Sequence, residues 1–329
     1  KFKNKKLVLN DGIRFQSINL LSNVEDNSFF NLPQTSVKQN SFAVTGNIGI
    51  IYTPVKSTNI KASVSSGFRA PNIDDLAKIF ESNTTARQVI VPNAGLKPEY
   101  TYNVDLTFNQ GIASRLNMEL TGYYTLFRNA ILKAPFKLNG QDSIVYNGVK
   151  SQVLASQNVN KATLYGFSFA LTADIYKGLV FSSTLSYTNG SFKTDASKTS
   201  AVYEKQANGT YALVNRNVSS KPLDHIPPPM GKTSISYRHK IFKTELYFLY
   251  NGWKRLHQYN ADGEDNAQYA TADGMPGWMT MNWKGNVNVM KHLQVQVGIE
   301  NILDRNYRHF ASGFSAGGRS FLVALRANW

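Results

Sequence analysis

The stretch YTYNVDLTFN, residues 100–109, puts Tyr100, Tyr102, Val104, Leu106 and Phe108 on one face of an extended chain and Thr101, Asn103, Asp105, Thr107 and Asn109 on the other. Successive side chains of a strand point to opposite faces, so this pattern describes a strand with one apolar and one polar side. LNMELTGYYTL (116–126), MNWKGNVNV (281–289) and LQVQVGI (293–299) repeat it. Helical spacing is almost absent from the remainder, and the chain reads as all-β.

About twelve such strands can be laid out, near residues 5–21, 41–54, 57–69, 98–112, 114–128, 161–175, 178–191, 230–240, 243–255, 278–290, 292–303 and 318–329. Most exceed about ten residues. Soluble strands cluster near about five or six, whereas strands that cross a bilayer at a tilt need roughly nine to eleven. The connections alternate strictly between two kinds. Short turns lie at PVKS (54–57), GIAS (111–114), YKG (176–178), KIFK (240–243) and MKH (290–292), and long polar segments at 22–40, 70–97, 129–160, 192–229, 256–277 and 304–317. All short turns therefore fall at one end of the sheet and all long loops at the other, which is the asymmetry of an outer-membrane barrel. Alternation alone does not say which face is wet, because a soluble sandwich buries its apolar face and a membrane barrel shows it to lipid. Strand length, the sorting of the loops, and Tyr52, Tyr100, Tyr187, Trp253 and Trp278 near strand ends favour the barrel, whose interfaces carry aromatic girdles.

The 329 residues include 36 Lys and Arg against 21 Asp and Glu, a formal charge of +15. A surplus of that size calls for an anionic neighbour, and beneath anionic lipopolysaccharide or around an anionic ligand it would find one. The basic residues are scattered through loops with no helix bearing a basic face, which argues against nucleic acid. The absence of Cys excludes disulfides, thiolate zinc sites and Cys nucleophiles. No apolar run is long enough for a membrane helix. Lys1 is not followed by a signal-like segment, which points to a processed or truncated chain.

Four stretches, GFRAPNIDDL (67–76), VPNAGLKPEYTYNVDL (91–106), ENILDRNYRHF (300–310) and SFLVALRANW (320–329), together with PLDHIPPPMGKTSISY (222–237), resemble in order the FRAP box, the NP-x-L-KPE box, the N-L-x-D-x-x-Y segment and the terminal strand of TonB-dependent outer-membrane receptors. The resemblance implies an antiparallel transmembrane β-barrel of about 22 strands, of which residues 1–329 would be the C-terminal portion, with the plug domain and N-terminal strands outside this chain. It also implies active import of a scarce large solute, such as a siderophore, haem, cobalamin or an oligomeric nutrient. Coupling would come from the TonB complex through the N-terminal part. Outer-membrane lipid would surround the wall, and the barrel assembly machinery would recognise Trp329. First contact with a small-molecule or chelate ligand is expected from Arg69, Arg87, Trp253, Arg255, His257, Tyr259, Tyr307 and His309, because aromatic faces and guanidinium forks suit flat or anionic ligands. A passive or structural twelve-stranded barrel and an outer-membrane hydrolase are the rival readings.

Several motifs also have plainer readings. Arg69 could snorkel to lipid phosphate. Pro227, Pro228 and Pro229 suit a stiff loop entry where no ladder hydrogen bond is needed. Asn301, Asp304 and Tyr307 suit a turn after the eleventh strand. GFSAG (313–317) matches G-x-S-x-G, but a strand rather than a helix follows, so no catalytic residue is assigned. NADGEDNAQ (260–268) gathers Asp262, Glu264 and Asp265 without EF-hand spacing, and the five histidines form no H-E-x-x-H pair, so no metal or cofactor is expected. Haem receptors of the family commonly carry a His between the first two boxes, and none lies between Pro71 and Pro92.

Overall fold

The computed structural model describes residues 6–28, 35–77, 80–83, 87–263 and 267–327. In chain order the elements are β1 (Leu7–Asn23), β2 (Ser36–Tyr52), β3 (Thr58–Arg69), a one-turn helix α1 (Ile73–Ala77), β4 (Phe80–Asn83), β5 (Gln88–Val91), β6 (Glu99–Ile112) and β7 (Leu116–Pro135). Then follow β8 (Ser143–Tyr146), β9 (Val149–Tyr176), β10 (Leu179–Lys193), β11 (Thr199–Lys205), β12 (Tyr211–Asn217) and β13 (Ser220–Pro222). The last third holds β14 (Met230–Arg238), β15 (Phe242–Asn251), β16 (Lys254–Arg255), β17 (Gly274–Met275), β18 (Trp278–Met290), β19 (Leu293–Glu300) and β20 (Ser320–Ala327).

Twelve of these form one antiparallel wall in the order β1-β2-β3-β6-β7-β9-β10-β14-β15-β18-β19-β20, the up-and-down meander expected from the alternating turns. The tight end is built by local geometry: between the paired Ile112 and Leu116, Ala113 and Ser114 take left-handed φ values of 50° and 53° and the Arg115 amide donates to the Ile112 carbonyl at 3.1 Å, the geometry of a type I′ turn. No pairing joins β1 to β20 among the described residues, so the twelve strands make an open wall rather than a closed cylinder.

The faces settle what alternation left open. Val104 and Leu106 are 52% and 57% exposed, and Phe42, Val44, Ile48, Ile50, Ile235, Met279, Val287 and Val289 are likewise outward and uncovered. The polar face is the sheltered one: Thr280 and Asn282 are 1% and 3% exposed, and Ser234 and Glu245 are buried. On that face the side chains bond across strands. The Thr125 hydroxyl donates to Asn103 at 2.6 Å, the Thr107 and Thr121 hydroxyls meet at 2.9 Å, and Glu245 takes Lys232 at 2.6 Å and Lys284 at 3.1 Å. A soluble sandwich buries the opposite set. This inversion is what a barrel wall needs when its outside solvent is hydrocarbon.

The long segments are more ordered than their polar composition suggests. The expected loop 129–160 is largely strand, because β7 and β9 continue paired as far as Pro135 and Leu154. Alternation vanishes there since both faces are covered: Ala130 and Ile131 are buried in succession, as are Val153, Leu154 and Ala155. β5, from the expected loop 70–97, lies parallel to β9 and packs Val89 and Val91 against Leu138 and Val153. Residues 192–229 likewise contain the β11–β12 hairpin and β13, which pairs with β10. A parallel pair with residues buried on both sides gives no period-two signal.

Candidate ligand-binding rim

At the long-loop end, β16 and β17 and the turn after β16 build a rigid ledge. Gly274, at φ 110°, lets the backbone of β17 press against the Lys254 carbonyl where any side chain would collide. A short 3-10 turn, Leu256–Gln258, follows, closed by the Arg255 amide donating to Gln258 Oε1 at 2.7 Å. Lys254 is only 3% exposed; its ammonium donates to the Ile226 carbonyl and lies 4.9 Å and 4.4 Å from the Tyr259 and Phe310 ring centres. A buried ammonium held by a carbonyl and two aromatic faces ties three separate segments together. Nearby, buried Lys221 pairs with Asp262 at 2.5 Å and anchors residues 259–263 to β13.

This ledge presents Trp253, Arg255 and His257. The Arg255 guanidinium lies 4.0 Å over the Trp253 ring, and Trp253 is itself 41% exposed. His257 stacks on Tyr211 of β12 with ring centres 5.7 Å apart, and its Nδ1 lies 3.0 Å from the Tyr211 hydroxyl. Burial, then the charges of Arg255 and Lys205, push the His257 pKa down, so its neutral form is favoured. A second aromatic group stands beside it. Trp278, Tyr307 and His309 meet with centres 4.4, 5.1 and 5.4 Å apart, and Phe310 touches Tyr259 to join the two groups. Burial, with the Glu300 charge, raises the Tyr307 pKa and keeps the phenol protonated. A half-buried guanidinium, exposed imidazoles and flat rings at one mouth can stack a planar ligand and neutralise an anionic one.

The model of the family described as TonB dependent receptor-like, beta-barrel matches residues 1–302. The chain belongs to that family. The hemoglobin and hemoglobin-haptoglobin-binding protein of Haemophilus ducreyi is 23% identical over 83% of this chain and 28% of its own length. The iron-regulated outer membrane virulence protein of Vibrio cholerae is 20% identical over 81% of this chain and 36% of its own. The chain thus spans about a third of these relatives. Among solved structures, the copper transporter OprC superposes at a TM-score of 0.72 and 15% identity, covering 99% of this chain and 46% of OprC. The siderophore receptor PiuA of Acinetobacter baumannii gives 0.65 at 16% identity, covering 98% and 41%. At such identity these superpositions speak for the fold.

The TonB-dependent receptor motifs turn out to be joined to one another. Arg69 and Glu99 are directly opposite in the β3–β6 ladder, and the Arg69 guanidinium bonds Asp75 at 3.0 Å and Glu99 at 3.4 Å. Asp75 also accepts from Ser156, and Glu99 from the Ile131 amide at 2.8 Å. The FRAP and KPE boxes thus clamp the 70–97 segment to the wall, with Leu76, Leu96, Val37 and Ile131 packed beneath. Arg87 is exposed at the start of β5, and its carbonyl accepts the Gln152 amide. Arg69 and Arg87 lie in this sector, whereas Trp253, Arg255, His257, Tyr259, Tyr307 and His309 gather at the ledge.

Asn301 and Asp304 form the expected turn. Asn301 bonds Asn282, Arg305 and Gly317, and Asp304 accepts the Arg319 amide at 2.8 Å. Tyr307 stacks on Trp278 instead, and Trp278, expected in the outer girdle, shares the inward face with Thr280. Ser315 sits exposed in the connection before β20, with no helix after it. Trp329, Glu264 and Asp265 lie outside the described residues. Sequence reading missed Lys254, Lys221, Tyr211 and Phe310. Only the flanking glycine and aromatics around Lys254 hinted that this lysine would be enclosed.

Proposed function

We propose that this chain forms the C-terminal wall and loops of an outer-membrane receptor that imports a scarce chelate or similarly bulky solute, driven by the TonB complex through parts of the receptor outside this chain. One observation carries the reading: the wall shows hydrocarbon-compatible side chains outward while its loop end holds Arg255 over Trp253 beside His257, Tyr307 and His309. A mouth of that composition favours flat or anionic cargo, such as iron chelates or haem. The relatives named for haemoglobin and for iron regulation, and neighbours named for siderophores and copper, support cargo of this kind. Lipopolysaccharide around the wall and assembly through the C-terminal residue belong to the same proposal.

The test is growth of a receptor-deficient Gram-negative host carrying the full-length receptor, fed a panel of ferric catecholates, haemin, haemoglobin and cobalamin as sole source. Growth on at least one that disappears without TonB, and falls about tenfold or more in ligand affinity for a Trp253→Ala, Arg255→Ala double variant, is the expected result. Uptake that persists without TonB would favour the passive barrel.

A further inference from the structure

Arg128 and Lys161 stand directly opposite each other in the β7–β9 ladder, and both are exposed. They face outward, on the side that carries Leu120 and Tyr124 of β7 and Tyr165 of β9. Like charges directly across a ladder repel and destabilise the pair. No carboxylate relieves them among the described residues: the contact of Arg128 is with the Tyr102 ring, 5.7 Å away. Tyr100, Tyr102 and Asn129 complete a hollow of about 430 Å³ around the two cations. On β10, Lys193 shares the outward face with Tyr187 and follows Phe192, the partner of Ala162, so it continues the cationic row beside Lys161.

Height on the wall selects the occupant. From the tight turn at Leu116, twelve residues lead to Arg128, which at the usual rise and tilt is about 30 Å, just beyond an apolar band of about 25 Å. The hollow therefore opens sideways at headgroup level. A solute entering the mouth meets the inner face instead.

We infer that Arg128 and Lys161, in the hollow that Tyr100 and Tyr102 also line, bind a phosphate group of an outer-leaflet glycolipid of the lipid A type. The bound phosphate bridges the two cations and removes their mutual repulsion, with charge-assisted hydrogen bonds from the guanidinium fork. The inference rests on the outer-membrane placement proposed above.

Native mass spectrometry of the full-length receptor, taken from nanodiscs of phosphatidylcholine with bisphosphorylated or dephosphorylated lipid A, reads the site directly. The wild type should retain the bisphosphorylated form about tenfold better than an Arg128→Gln, Lys161→Gln double variant, with Arg128→Lys intermediate. Equal retention by both, or equal retention of the dephosphorylated lipid, overturns the inference. Displacement by inorganic phosphate at equal concentration would make it a free-anion site and overturn the lipid assignment. Should the double variant fail to fold, acetylation of Lys161 in the wild type decides: protection by bisphosphorylated lipid A alone supports the site, and equal labelling in every nanodisc removes it. Failure of the protein to fractionate with outer membranes would sink the placement separately.

Discussion

Arg69 joins two motifs that are 30 residues apart in sequence, and its role is carried by the carboxylates it holds rather than by its own burial. The Asp75 and Glu99 side chains are only 15% and 12% exposed. Removing the guanidinium leaves two largely sheltered negative charges adjacent, at a cost of about 1–3 kcal/mol. Arg69→Ala should therefore release the 70–97 segment to protease while the wall strands stay protected, and Arg69→Lys should restore part of the loss. Unchanged protease resistance would mean that the packing of Leu76 and Leu96 suffices without the clamp. His257 makes a pH-dependent contact. Its folded pKa lies below the usual value of 6.5, so between the two values the unclamped state binds more protons, and the Tyr211 contact strengthens as pH rises through that window and levels off above it. Protection of the β12 amides, taken relative to the intrinsic exchange rate at each pH, should fall on acidification below about pH 6.5, and His257→Phe, which keeps the ring stack without the titration, should flatten the profile. A pH profile unaltered by that substitution would remove His257 as the cause.

At the scale of the element, strand faces were legible and loop structure was not, for a physical reason visible in β6 and β9. Each outward residue of β6 meets one solvent and each inward residue another, so Val104 and Leu106 alternate with Asn103 and Asp105. The upper part of β9 is covered on both sides, and VLA (153–155) carries no alternation. The ledge was partly legible: Trp253, Arg255 and His257 stand out by residue type, whereas Tyr259, expected to meet ligand, is 2% exposed, and Lys254 reads as an ordinary loop cation until Tyr259 and Phe310 are seen to enclose it. Long-range contacts of that kind leave no local signature. The face assignment has a direct test. Leu106→Arg puts a charge on the outward face near mid-strand and should cost about 2–4 kcal/mol of stability in lipid, whereas Thr107→Arg on the inner face should cost far less. A fluorophore at Leu106→Cys should also be quenched by lipids with brominated chains while one at Thr107→Cys is not; no quenching at either position would mean that the apolar face is a buried core.

At the scale of the molecule, the decisive feature is the pair of ends of the wall. Among the described residues β1 and β20 each pair on one side only, with β2 and β19. All eight residues of β20 are exposed, including Phe321, Val323 and Leu325. A row of free amides and carbonyls is costly in hydrocarbon, where no water can satisfy it, and closed barrels exist because closure removes such edges. Two outcomes are open to the 329-residue chain refolded alone in detergent. If its wall belongs to a larger cylinder, the edges remain available and the chain associates with itself, giving species heavier than one copy by light scattering and fast amide exchange along the free sides of β1 and β20. The receptor with its remaining strands should run as a single copy with both strands protected. A monodisperse single copy of the shorter chain, with slow exchange in both edge strands, would show that twelve strands close on their own and would restore the passive barrel as the better account.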